Sequence, residues 1–205
     1  MDSILDQLIQ SFRRFPGIGP RQAKRFVYYL LQSPHGEVGN LLRLIKDLKG
    51  SINQCQNCFR FFPGVKPPHG GRVINTLCTI CSDNNRDNSI LMLIEKDIDL
   101  ENIERSGTYH GYYFVLGGLV PILEKNPKQS IRAKELLELL KTRPNLKEII
   151  IAVSANAEGD HTIEFLKNFL KIKIKISTLG RGLSTGAELE YSDSDTLKNA
   201  LKHRE

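Results

Sequence analysis

Cys55, Cys58, Cys78 and Cys81 are all the cysteine in this chain of 205 residues, and they form two Cys-x-x-Cys pairs. Each pair sets two sulfurs on one tight turn. Two such turns brought face to face make a tetrahedron of four thiolates around Zn²⁺ that needs no further ligand. A closed shell of that kind holds structure and leaves no open position for catalysis, so one structural zinc ion per chain is the expected cofactor. The alternatives are two disulfides, free thiols, or thioredoxin-type redox chemistry. The last needs one pair at a helix N-terminus after a strand, whereas Gly, Pro and polar residues flank the pairs here. His69, in the intervening loop, is expected to be a solvated residue because four thiolates suffice.

A second chemistry is carried by charge. The net charge is +6, and between Gln10 and Arg25 stand Arg13, Arg14, Arg21, Lys24 and Arg25 with no acidic residue among them. That clustering points to a polyanion such as nucleic acid more strongly than the total does. The basic residues surround the turn Phe15-Pro16-Gly17-Ile18-Gly19-Pro20. Before it, Ile4, Leu5, Leu8, Ile9 and Phe12 recur at helical spacing over residues 2–14; after it, Ala23, Phe26, Val27, Leu30 and Leu31 do so over Arg21 to Gln32. The turn resembles the helix-hairpin-helix motif of DNA-binding proteins. Gly17 and Gly19 allow the main chain to approach a ligand closely. N–H groups opening the second helix then face a phosphate, a contact that reads backbone and not sequence. Arg21 and Arg25, one helical turn apart, share a face with that end. The plain alternative is an ordinary αα-corner punctuated by Gly and Pro. A third helix is expected over Glu37 to Lys49, ended by Gly50. With roughly a dozen apolar side chains, the first fifty residues form a thin core of the kind that needs docking or oligomerisation.

Beyond the cysteines the pattern changes to alternating strands and helices. Strands are expected at Ile90–Ile94, Tyr112–Leu116, Glu148–Val153 and Ile172–Ser177, with helices at Leu100–Arg105, Ser130–Lys141 capped by Ser130, and Gly159–Leu170. Such alternation builds a mostly parallel α/β sheet covered on both faces, whose ligands gather beyond the carboxyl ends of the strands. Glu95 and Asp99 follow the first strand there, and Glu158 and Asp160 follow the third, so two acidic pairs at one edge could hold Mg²⁺. The arrangement resembles the Toprim domain of topoisomerases, primases and some nucleases, which uses a lone glutamate and an Asp-x-Asp pair. Here that pair is replaced by Ser154-Ala155-Asn156-Ala157-Glu158-Gly159-Asp160, and the acids could equally serve the dipole of a helix in its first turn. Tyr109, Tyr112 and Tyr113 are as well suited to an edge strand or the core as to a nucleophile.

Several classes fall away. No Gly-x-x-x-x-Gly-Lys-Ser/Thr occurs, which excludes a P-loop ATPase by motif. No apolar run approaches the ~20 residues that span a bilayer, and MDSILDQLIQ lacks the basic and apolar regions of a signal peptide, so a cytoplasmic protein is expected. The loop Leu179–Gly186 is glycine-rich and either cradles phosphate or makes a structural or protein contact. A short helix over Asp195–His203 closes the chain, and His35, His110, His161 and His203 have no partner that sequence can name.

Taken in order, Pro16-Gly17-Ile18-Gly19-Pro20, the four cysteines, Glu95-Lys96-Asp97-Ile98-Asp99, Val115-Leu116-Gly117-Gly118, Glu158-Gly159 with Thr162, and Arg181-Gly182 through Asp193 closely resemble the RecR family of bacterial recombination mediators over nearly the whole chain. The resemblance implies four segments: a helix-hairpin-helix region over 1–53, a four-cysteine zinc finger over 54–83, a Toprim-like domain over 84–177 and a Walker B-like segment over 178–205. It implies a non-enzymatic protein that binds single- and double-stranded DNA without sequence preference. The family assembles as dimers or ring-shaped tetramers able to encircle DNA, and acts with RecO and RecF to load RecA at gaps. The DNA-contacting residues fall on Gly17, Gly19, Arg21, Lys24 and Arg25, and the Toprim acids associated with partner binding on Glu95, Asp99 and Glu158. Leu189–Asp193 takes the Walker B-like position and is expected to serve subunit contact, not ATP hydrolysis. One departure is visible: where the family continues after Gly118 with Ser-Pro and a glycine-rich loop, this chain has Leu119-Val120-Pro121-Ile122-Leu123-Glu124-Lys125-Asn126-Pro127. The zinc knuckle would then set the angle between the helical and α/β units. The alternative is a metal-dependent Toprim enzyme, a nuclease or topoisomerase.

Overall fold

The computed structural model describes residues 3–64, 76–124, 126–183, 186 and 188–202. His69, His203, Ser184 and Thr185 lie outside the described residues. The chain divides into two compact units, Met1–Ile52 and Asn53–Glu205.

In the first unit, Ser3 caps α1 (Ile4–Phe12). Its hydroxyl accepts the Asp6 N–H while the Asp6 carboxylate takes the Ser3 N–H, a reciprocal capping box. Pro20 opens α2 (Pro20–Gln32) at the position where a missing N–H leaves nothing unsatisfied. Ser33-Pro34 then separates it from α3 (His35–Ser51). This third helix runs through Gly50, the residue expected to end it. The Ser51 hydroxyl takes up the Asp47 carbonyl, and the helix stops only where Ile52 turns extended at φ −103°. The core of the unit is Ile9, Ala23 and Val27, with Leu5, Phe12 and Ile18 partly packed on it. No residue of α3 is buried, although Leu41, Leu42, Ile45 and Leu48 give it an apolar stripe.

From the last residue of the first unit onward, β1 (Ile52–Gln54) pairs with β2 (Phe61–Pro63), and α4 (Thr79–Ser82) follows. The main domain then runs β3 (Asp87–Ile94), α5 (Asp97–Ser106), β4 (Gly111–Val115), α6 (Pro127–Ser130), α7 (Ala133–Lys141), β5 (Glu148–Ala152), α8 (Ala157–Leu170) and β6 (Lys175–Thr178). A 3-10 turn at Leu189–Tyr191 and α9 (Ser194–Lys202) complete the described chain. The four long strands are all parallel in the order β4-β3-β5-β6, with Ile94 opposite Val115 on one side and Ala152 on the other.

The strand period of two divides the apolar residues between two cores. Leu91, Leu93, Tyr112, Phe114, Ile149 and Ile151 face Leu136 and Leu139 of α7 and Leu166 and Leu170 of α8. Met92, Ile94, Tyr113, Val115 and Ala152 face the other way, toward Leu100 of α5 and toward Cys55, Cys58 and Cys78. Both faces of the sheet are covered as expected, but on the second face the cysteine knuckle does part of the work of a helix.

The helix expected over Ser130–Lys141 is two pieces, and Ser130 does not cap α7. Between them Ile131 is extended and its side chain buried, while the Arg132 N–H donates to the Leu116 carbonyl at 3.0 Å. Pairing with the end of β4 therefore overrides helix continuation there. Among the described residues, no helix is long and apolar enough to cross a membrane.

Candidate functional site

The first cysteine pair lies on a turn closed by the Phe59 N–H donating to the Cys55 carbonyl at 3.0 Å and the Cys55 N–H donating to the Arg60 carbonyl at 2.9 Å. Phe59 takes a left-handed conformation, φ +61°, to make it. Cys78 stands at the N-cap of α4, and its N–H donates to the Cys55 sulfur at 3.4 Å. The Cys58 and Cys78 sulfurs are 3.6 Å apart, and all four sulfurs lie within 4.8 Å of one another. A metal 2.3 Å from each of four sulfurs would separate them by about 3.8 Å, whereas a disulfide needs about 2.05 Å. The four thiols are free and cluster as a group that could hold a metal ion, an arrangement that fits metal ligation better than a pair of disulfides. Hydrogen bonding between the crowded sulfurs pushes the Cys55 and Cys78 thiols down and the Cys58 and Cys81 thiols up, so the four titrate as one group.

The knuckle is mounted on the sheet. The Val115 N–H donates to the Cys58 carbonyl at 2.8 Å, which occupies part of the open edge of β4. The Phe61 N–H donates to the Asp97 carboxylate at 2.7 Å, and the Phe59 ring meets Phe114 edge-on at 5.4 Å. Arg132, which the sequence did not single out, ties these parts together. Its guanidinium lies 5.5 Å from the Phe59 ring centre and donates to the Val115 carbonyl at 2.8 Å.

The strand order makes β3 and β5 the switch point of the sheet, where a ligand crevice is expected. Glu95 sits there, only 5 % exposed. One carboxylate oxygen accepts from the Ser154 hydroxyl at 2.8 Å and the other pairs with the Lys96 ammonium at 2.5 Å. Burial by itself would raise the carboxyl's pKa, but Lys96 and Ser154 outweigh it and hold the group below the usual range. Asp99 accepts the Lys96 N–H at 3.0 Å as part of the cap of α5. Glu158 and Asp160 lie in the first turn of α8, the helix-dipole position, and Asp160 is drawn down in pKa by its ion pair with Arg181 at 2.5 Å. Among the described residues the cysteines are the one group of three or more metal-ligating side chains that converge. Glu95, Asp99, Glu158 and Asp160 are not brought together as a metal clamp.

The tyrosines belong to the core. Tyr113 donates to Glu104 at 2.7 Å and Tyr109 to the Tyr112 carbonyl at 2.9 Å, and burial pushes both phenols up. His161 does have a partner, the Val120 carbonyl at 3.1 Å from Nδ1. Beside it the buried Thr162 hydroxyl accepts the Val120 N–H at 2.8 Å and donates to the Glu158 carbonyl at 2.7 Å. The divergent loop after β4 is thus pinned to α8 through both polar groups of the buried Val120, while Leu123 beyond it is 92 % exposed. Gly159 is the other residue that periodicity could not flag. A Cβ there would lie 1.8 Å from the Ser154 carbonyl oxygen.

At the hairpin, Gly17 has φ +77° and Gly19 is the N-cap of α2. A Cβ at either would meet nothing within 4 Å, so the turn opens onto free space. Arg21, Lys24 and Arg25 are exposed, and none joins an ion pair among the described residues. The N–H groups that open α2 are accompanied by cations and by no competing acid.

Fold and site together define a class: a multi-domain α/β protein that joins a helix-hairpin-helix unit to a parallel Toprim domain carrying a four-cysteine cluster. Three family models match the chain, a Toprim domain over residues 89–180, "RecR, helix-hairpin-helix" over 5–49 and "RecR, C-terminal" over 182–205. Proteins named "Recombination protein RecR" are similar along almost the entire chain. That of Bifidobacterium longum is 34% identical over 204 residues, covering 99% of this chain and 96% of the relative. That of Bifidobacterium animalis subsp. lactis is 36% identical with the same coverage, and that of Chloroflexus aggregans 33% identical over 97% of this chain and 91% of the relative. The chain belongs to the RecR family of recombination proteins, and its role lies in recombination repair.

Proposed function

We propose that this protein is a cytoplasmic, non-enzymatic DNA-binding mediator, an oligomeric clamp that works with RecO and RecF to load RecA at gaps. The observation that carries the reading is the open N-terminus of α2. Gly17 and Gly19 leave its N–H groups accessible, and Arg21, Lys24 and Arg25 stand exposed around them without acidic partners. Such an end holds a phosphate by hydrogen bonds and helix dipole on any sequence, single- or double-stranded. The four thiolates hold one structural zinc ion, a role that fits their spacing and their place in the core beneath β3 and β4.

Assembly as dimers or a ring is supported by unburied apolar surface. The depression of about 730 Å³ between α1, α2 and α3 is lined by side chains such as Leu8, Phe15, Leu31, Leu41 and Ile45, and Leu189, Tyr191 and Leu201 are exposed in the Walker B-like region and the helix after it. A second copy would bury what a unit this small cannot. The acidic edge of Glu95, Asp99 and Glu158 serves partner binding, with Glu158 the exposed member and Glu95 steadying Lys96 and Ser154. The engagement of Glu95, Asp99 and Asp160 by groups of the chain itself favours this over metal catalysis.

Light scattering of the purified protein, alone and with DNA, tests the clamp. A closed dimer or tetramer is expected, and a monomer under both conditions would sink the idea. In parallel, supercoiled and single-stranded DNA incubated with the protein and Mg²⁺ should remain unconverted. Turnover abolished by Glu95→Gln would instead identify a Toprim enzyme.

A further inference from the structure

We propose that Tyr28 and Tyr29 form a stacking platform for unpaired bases, which makes the hairpin unit prefer single-stranded DNA over duplex; this rests on the hairpin as the DNA-contacting site. The two rings are adjacent on α2, 52 % and 66 % exposed, and side by side they form a contiguous aromatic patch of the kind that marks an interaction site. Neither ring stacks on another aromatic among the described residues. Together with Lys24, Arg25 and Gln32 they line a shallow depression of about 620 Å³.

Helical geometry puts this platform in line with the phosphate contacts. Tyr28 lies four residues after Lys24 and Tyr29 four after Arg25, so each ring stands one turn beyond a cation on the same side of the helix. From Arg21 to Tyr29 the rise is roughly 12 Å at 1.5 Å per residue, a distance that a few linked nucleotides can span. A strand whose phosphate is held at the opening of α2 therefore has bases within reach of the rings further along. The whole of α2 carries Arg21, Lys24 and Arg25 and no acidic residue, which suits a polyanion and not an acidic or neutral peptide.

The discrimination follows from what each DNA form exposes. Every unpaired base offers a π-face to an aromatic ring, with an arginine alongside adding to the contact, whereas in duplex those faces are occupied by neighbouring bases. Phosphate contacts by Arg21 and Arg25 are common to both forms. The tyrosines add affinity for the single strand alone.

Fluorescence-anisotropy titrations of the full chain with a labelled oligonucleotide, single-stranded and annealed, over a range of salt, test this. Tyr28→Ala with Tyr29→Ala should weaken single-strand binding about 5- to 30-fold and leave duplex binding within about twofold. Because stacking releases no counterions, the salt dependence should be unchanged. Tyr28→Phe with Tyr29→Phe should restore the affinity, since the ring and not the hydroxyl does the stacking. Both sites are exposed and alanine favours helix, so far-UV circular dichroism should show the fold intact. Equal loss on both DNA forms, failure of the phenylalanine pair to restore binding, or an altered oligomer mass would each overturn the platform. The last outcome would assign the rings to a subunit contact. Arg21→Ala with Arg25→Ala should weaken both forms and flatten both salt plots. Unchanged binding of that pair would remove the hairpin reading itself, and the platform with it.

Discussion

Replacing Cys78 with serine perturbs the knuckle at its most connected point. The side chain is fully buried, its sulfur lies 3.6 Å from that of Cys58, and its N–H supports the Cys55 sulfur. A serine oxygen is a poor zinc ligand, and the three remaining thiolates would be left close together without the cation that compensates them. Structural zinc contributes roughly 10–16 kcal/mol of apparent binding energy to small domains, as much as the whole stability of a typical fold at about 5–15 kcal/mol. Losing even about 3 kcal/mol of it should lower the melting midpoint by roughly 6–12 °C for a chain of this size. The damage should also have a location. The Val115 amide, which donates to the Cys58 carbonyl on the edge of β4, should lose protection from hydrogen exchange before the amides of β5 do. Elemental analysis for metal per chain, thermal unfolding and hydrogen exchange on the same preparations give the three readouts. A metal-free variant with an unchanged midpoint, unchanged assembly and a protected Val115 would refute the structural role of the cluster.

Other consequences are sharper for being local. Gly159→Ala places a Cβ 1.8 Å from the Ser154 carbonyl oxygen, so the loop after β5 or the start of α8 must move. A loss of at least about 2 kcal/mol in denaturant unfolding is expected, and one below about 0.5 kcal/mol would show the approach to be loose. Glu95 has its carboxyl pKa lowered in the folded state by Lys96 and Ser154 against the effect of burial. Its pairing therefore stabilises the fold above the unfolded carboxyl range and is lost as pH falls through the lowered folded value. Thermal midpoints measured from neutral to acid pH should fall less steeply in Glu95→Gln than in the parent, and parallel curves would remove this pairing from the acid response.

Much of this architecture was legible because it is written in short-range patterns. The run Ile90–Ile94 signals a strand buried on both faces, the Cys-x-x-Cys spacing a metal-ligating cluster, and Pro16–Pro20 the hairpin. What escaped depends on contacts between distant segments. Nothing in the cysteine stretch announces that it packs under Met92 and Tyr113 as cover for a sheet face. Ser130 has the chemistry of a cap, but the Arg132 N–H is taken by Leu116 and the helix starts later. Gly50 has the chemistry of a terminator, yet the helix continues until Ile52 becomes extended. The divergence after Gly118 reads as a loop change. Only the structure reveals that Thr162 and His161 hold Val120 by both its polar groups. The strand pattern places the acids at one edge of the sheet, but the partners that engage Glu95 and Asp160, namely Ser154 and Arg181, come from elsewhere in the chain. The apolar stripe of α3 is legible as a helix face, yet none of its residues is buried among the described residues.

The salt dependence of DNA binding, measured for the parent and for Arg21→Ala with Arg25→Ala on the same duplex, tests the central claim most directly. If both arginines neutralise phosphates at the hairpin, the parent's log affinity falls linearly with log salt. The double variant should then bind more weakly, with a slope smaller in magnitude by about 1.8, two contacts at about 0.9 each. The same slope should be found on a duplex of unrelated sequence. An unchanged slope and affinity in the double variant would contradict the hairpin as the DNA-binding element.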